Sequence, residues 1–159
     1  MILSCKTKKI TGFSLIEILI SLAILSVISA VAISVFKNIN EKQVLEKTTL
    51  SVMTILNDAR SASMSSKDSS DHGIFVEENK VTSFIGATFN PSDPNSSVYY
   101  LNNLVKISSS VPQTLIFKRA VGSVSLDTAK IVTLCLRSNT ENNTAVTIFP
   151  TGLIQKNVQ

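Results

Sequence analysis

The sequence predicts an α+β chain. One long N-terminal helix crosses a membrane with its first half and packs its second half on an antiparallel β-sheet or β-sandwich head. Three observations carry this. An apolar run over residues 13–36 holds a single ionisable group, Glu17. Over residues 37–66 there is neither proline nor glycine, and apolar residues recur at helical spacing. After Gly73 the chain turns to short β-prone runs divided by polar turns.

Each element can be justified in chain order. Residues 1–12 form a short leader with Lys6, Lys8 and Lys9, ending in Thr11-Gly12. The apolar run is about 36 Å long as a helix, enough for a bilayer that needs about 20 residues. Its serines (14, 21, 26, 29, 34) are tolerable in a helix. Lysines on the near side predict a cytoplasmic N-terminus and an exported head. Beyond residue 36 the charges Glu41, Lys42, Glu46 and Lys47 fall in i,i+4-compatible places. Leu45, Val52, Ile55, Leu56, Ala59 and Ala62 can form one apolar stripe. The reading is one helix over about residues 13–66, roughly 80 Å long. Residues 13–36 are its transmembrane part, 37–66 its amphipathic continuation and 67–159 the β-rich head. "SSKDSSDHG" reads as a loop. The strand candidates are "GIFVE", "VTSFIG", "SVYYL", "LVKISS", "TLIFK", "SVSL", "KIVTLCLR", "TAVTIF" and "GLIQK".

Composition narrows the functional classes. The formal charge of +4 weakens as an argument for a polyanion partner once the leader lysines are set aside, leaving 12 basic against 11 acidic residues. With no tryptophan and 6% aromatics, an aromatic platform for nucleic acid is not suggested. Cys5 precedes the apolar run and Cys135 alternates within "KIVTLCLR", so the two are not expected to pair. Cys135 reads as a small buried hydrophobe. "ILSC" is not a lipoprotein box, because no apolar stretch precedes it.

The stretch "GFSLIEILISLAILSVISAVAIS" closely resembles the N-terminal signature of type IV prepilins and of the pseudopilins of type II secretion. The resemblance implies that a prepilin peptidase removes the leader by cutting between Gly12 and Phe13. It also implies methylation of the new Phe13 amine, and it identifies Glu17 as the residue that acts in assembly. A physical reading stands beside this. A carboxylate in hydrocarbon costs a few kcal/mol on insertion scales and should find a cation. Cleavage would create one, and a staggered neighbouring helix could bring its Phe13 amine beside this Glu17. One departure is the lack of the proline often found midway in the family's hydrophobic helix; the first proline here is Pro91.

Two alternatives stand against this reading. "AVA" over residues 30–32 could end a conventional secretory signal cut after Ala32. A plain single-pass anchor with an incidental Glu17 is the other. The length of the run, Glu17 within it and the helical continuation past Ala32 argue against both.

The C-terminal part, with "LNDARSASMSSK", many short strands and "AVTIFPTGLIQKN", resembles the GspH/FimT type of minor pilins and pseudopilins. The partners implied are other pilin or pseudopilin subunits, the prepilin peptidase and inner-membrane lipid, with the head periplasmic or extracytoplasmic. Some FimT-like proteins bind DNA through a basic tail after the glycine. Here that tail, "GLIQKNVQ", has only Lys156, and Arg60, Lys67, Lys118, Arg119, Lys130 and Arg137 are scattered. Counterion release needs several phosphate contacts, so nucleic acid is not the favoured partner. His72, the one histidine, reads as an exposed loop residue without a nucleophile motif. Asn90, Asp93 and Asn95 read as a proline-rich turn rather than a calcium site. Glu77, Glu78, Asp68 and Asp71 read as solvated charge. No catalytic residue, cofactor or metal is expected.

Overall fold

The computed structural model describes residues 13–109 and 113–157; Gly12 and the rest of the leader lie outside the described residues. The chain divides between Ile39 and Asn40 into two units. A single helix, α1, covers Leu15–Met64. It opens where the Ser14 carbonyl accepts from the Glu17 and Ile18 amides, at 3.0 and 3.3 Å. No glycine or proline stops it. Ser66 does so by entering the left-handed region (φ 52°), and a 3-10 turn at Lys67–Ser69 follows.

From Leu45 onward one face of α1 is buried: Leu45, Thr48, Thr49, Val52, Leu56, Ala59 and Ser63, spaced by one, three or four residues as a helix requires. The two threonines are accommodated because each hydroxyl donates to the carbonyl four residues back, Thr48 to Val44 and Thr49 to Leu45, both at 2.8 Å. Ile55 and Ala62, counted in the expected stripe, lie half-buried at its margin.

Among the described residues eight strands follow: β1 His72–Val76, β2 Lys80–Ile85, β3 Ser97–Tyr100, β4 Val105–Ser109, β5 Thr114–Phe117, β6 Lys130–Leu136, β7 Asn143–Ile148 and β8 Ile154–Asn157. They form two antiparallel four-stranded sheets, ordered β3-β2-β1-β5 and β4-β6-β7-β8. Each sheet is a three-strand meander extended by one strand of the exchanged pair β4 and β5. The register sets Ile74 opposite Ser83 and Leu115, and Val132 opposite Val146 and Ser109.

Both sheets and α1 feed one core. Ile74, Val81, Leu115 and Phe117 come from the first sheet, Val105, Val132, Leu134, Leu136, Val146 and Ile148 from the second, and Val52 and Leu56 from the helix. Each such side chain contributes about 1.5–3 kcal/mol by leaving water. Cys135 is buried beside them. The expected α+β class with a long helix and an antiparallel β head is therefore what the chain adopts. The "SVSL" segment is a correction: it forms only an isolated bridge, Val124 to Phe117, and the Val124 amide donates to the Pro150 carbonyl at 2.9 Å. With one paired residue it never builds a ladder.

Candidate functional site

The N-terminal stretch of α1 is apolar on every side and exposed throughout. Phe13 is 78% exposed, and Ile16, Leu19, Leu22, Leu25 and Ile28 all lie open. Its best window has a mean hydropathy of 2.7, so by length and composition this segment can cross a membrane. The serines do not spoil it. Ser21, Ser26 and Ser29 donate their hydroxyls to the carbonyls of Glu17, Ala23 and Leu25 at 2.7–2.8 Å, leaving little unmet polarity.

Glu17 is the exception. It occupies the first turn of α1, where unpaired helix amides favour an anion. Its side chain is exposed, and among the described residues no ion pair or hydrogen bond engages its carboxylate. Phe13 lies four residues before it, ahead of the first turn. A charge in an apolar band with no partner among the described residues looks outward for one.

The other candidates from the sequence have local structural duties. His72 is buried, not exposed: its amide donates to Ser63 Oγ at 3.0 Å, and its Nε2 lies 3.1 Å from the Lys67 carbonyl. Asn90 and Asp93 use their side-chain oxygens to accept the amides of Ser92 and Asn95, at 3.0 and 2.9 Å, as turn residues do. The acids read as solvated charge are partnered. Glu77 pairs with Lys80 (3.0 Å), Glu78 with Arg137 (3.1 Å) and Asp71 with Lys118 (3.6 Å), while Asp68 lies 3.8 Å from His72 Nε2. Lys156 pairs with Glu46 at 3.0 Å, and Arg119 donates to the Ser69 carbonyl. The helix charges thus reach across the head rather than to one another: Glu46 takes Lys156, and Glu41 accepts from Ser138.

Sequence reasoning missed two residues. Ser63 is fully buried and joins three elements, donating to the Phe117 carbonyl at 2.9 Å while accepting from His72. Arg60, grouped with the scattered surface cations, has its Nε buried with no acceptor. Neither position carries a local signal, since both depend on backbone brought in from more than 50 residues away.

A family model described as the prokaryotic N-terminal methylation motif matches residues 7–33, a span that includes Gly12, Phe13 and Glu17. No match was found among curated proteins. Among solved structures the fold is similar to the type IV minor pilin FimU of Pseudomonas aeruginosa in two crystal forms. The identities are 17% and 16%, the TM-scores 0.59 and 0.60, and the match covers 72% of this chain and 93% or 88% of that one. It is also similar to the minor pseudopilin EpsH from the type 2 secretion system of Vibrio cholerae, at 13% identity and a TM-score of 0.52, covering 72% of this chain and 96% of that one.

Proposed function

We propose that this type IV pilin-like chain is a minor pilin or pseudopilin subunit. It is cleaved between Gly12 and Phe13, methylated on the Phe13 amine, and assembled through α1 into a type IV pilus or a secretion pseudopilus. Before assembly it is a single-pass inner-membrane protein with its head outside the cytoplasm. Its role is structural: partner contacts rather than catalysis.

The observation that carries the proposal is the Glu17 carboxylate, without a partner among the described residues, in the first turn of an otherwise apolar, exposed helix segment. Cleavage at Phe13 places a new α-amine four residues from it in the same apolar band. Within one chain both charges are costly in lipid. A neighbouring helix staggered along the axis sets its Phe13 amine against this Glu17, so that two isolated charges become one pair. The apolar faces supply most of the attraction, and the pair selects the axial register. The methylation motif over residues 7–33 supports the processing step.

The test is filament incorporation of Glu17→Ala beside the parent. The proposal expects normal cleavage and membrane insertion with poor incorporation; unchanged incorporation would remove the pairing mechanism. DNA uptake ranks second, because Lys118, Arg137 and Lys156 are held by Asp71, Glu78 and Glu46. Salt-dependent gel shifts decide that reading, and absence of binding at low salt eliminates it.

A further inference from the structure

We propose that the face of the head around Arg60 docks a neighbouring pilin-like subunit through a carboxylate bordered by apolar side chains. The inference rests on the assembly reading above and gives it a second, head-level contact. Arg60 stands on α1 one turn before Met64, and its side chain lies across two tight turns. Gly122 (φ +68°) and Gly152 (φ +79°) form that floor, and neither has room for a side chain. A Cβ on Gly122 would come within 2.5 Å of Met64 Cγ and 3.2 Å of Arg60 Cγ. One on Gly152 would meet the Gly122 carbonyl oxygen and lie 3.1 Å from Arg60 Nε. The bare backbone at both turns is what lets the arginine lie down.

Lying there, Arg60 has no counter-ion among the described residues. Its Nε is occluded and unpaired, and none of the ion pairs or hydrogen bonds among the described residues engages its guanidinium. It lines a depression of about 560 Å³ with Asn57, Ser61, Met64 and Ser65. Met64 (48% exposed) is its one apolar lining residue, and Val121 (64%) and Leu153 (50%) are exposed apolar neighbours in sequence of Gly122 and Gly152, the two glycines packed against Met64 and Arg60. An arginine with little freedom left, set among Asn57, Ser61, Ser65 and Met64 and next to the turns that carry Val121 and Leu153, has the anchor character of an interface residue. Its unpaired charge selects a carboxylate, and the exposed Met64, Val121 and Leu153 supply apolar contact beside that pair. A phosphate backbone would need several free cations in one place, and Lys118, close by in the same turn as Gly122, is already held by Asp71.

The test places a photo-crosslinking benzoylphenylalanine at Val121, at Leu153 and, as a reference, at Leu25 in the full-length chain in the cells that produce it. The proposal expects Val121 and Leu153 to capture another pilin-like subunit at a peptide containing Asp or Glu. Arg60→Ala lowers that yield about tenfold or more, as truncating a central interface arginine does, and Arg60→Lys restores part of it. Leu153→Asp, an exposed change that leaves the core alone, offers Arg60 a competing carboxylate and lowers capture at Val121. Capture at Leu25 with none at Val121 or Leu153 overturns the head site and leaves the assembly reading standing. No capture at any of the three positions overturns both. Capture of nucleic acid at Val121 overturns the choice of a protein partner.

Discussion

At the scale of single residues the account turns on charges and on backbone that lacks a side chain. Glu17 stands in an apolar helix where first-turn amides favour it, and the proposed assembly would supply it a cation. Replacing it with alanine removes a penalty of a few kcal/mol for insertion, so membrane insertion should hold or improve while the filament-bound fraction falls. Immunoblots of sheared filaments against the membrane fraction measure both. Gly152 makes the complementary point. Its φ of +79° and the Gly122 carbonyl beneath it leave no place for a Cβ. Gly152→Ala should lower stability by about 2 kcal/mol or more, read as a drop in the thermal unfolding midpoint.

At the scale of elements, the C-terminal end of α1 is tied to the first sheet through Ser63. The Oγ of that residue links the His72 amide to the Phe117 carbonyl, and its own carbonyl accepts from the Ala120 amide at 2.9 Å. His72 and Phe117 also face each other in the β1–β5 ladder, so Ser63→Ala removes the tie of the helix to the sheet and should cost about 0.5–1.5 kcal/mol, measurable by denaturant unfolding. This tie also marks where sequence legibility ended. The helix was legible because residues 37–66 lack breakers and repeat Leu45, Val52, Leu56 and Ala59 at helical spacing. The strands were legible where β-branched runs are bounded by turns. "SVSL" has the same local character but meets only Phe117 and Pro150, so composition alone could not deny it a strand. His72 looked like loop because "SSKDSSDHG" is polar, yet Ser63 and the Lys67 carbonyl bury it. The N-terminal methylation motif over residues 7–33 was legible, being short and contiguous; Arg60 was not, because its surroundings come from Gly122 and Gly152.

At the scale of the whole molecule, the exchange of β4 and β5 between sheets means neither sheet is completed without the other, and both close on the same helix residues. Leu56 is fully buried at that junction. Leu56→Ala should destabilise the head by about 2–5 kcal/mol in one cooperative transition, followed by circular dichroism. The described apolar stretch of α1 before Lys37 is built to another rule: apolar but for Glu17 and exposed, with no cover from the described residues, it suits lipid or neighbouring helices. The central claim is that this segment is a processed assembly helix rather than a discarded signal or a plain anchor. Mass spectrometry of the N-terminus of the protein purified from its own cells tests it most directly. The account predicts a chain beginning at N-methylated Phe13; a chain beginning at Ile33, or one that retains the leader through Gly12, would contradict it.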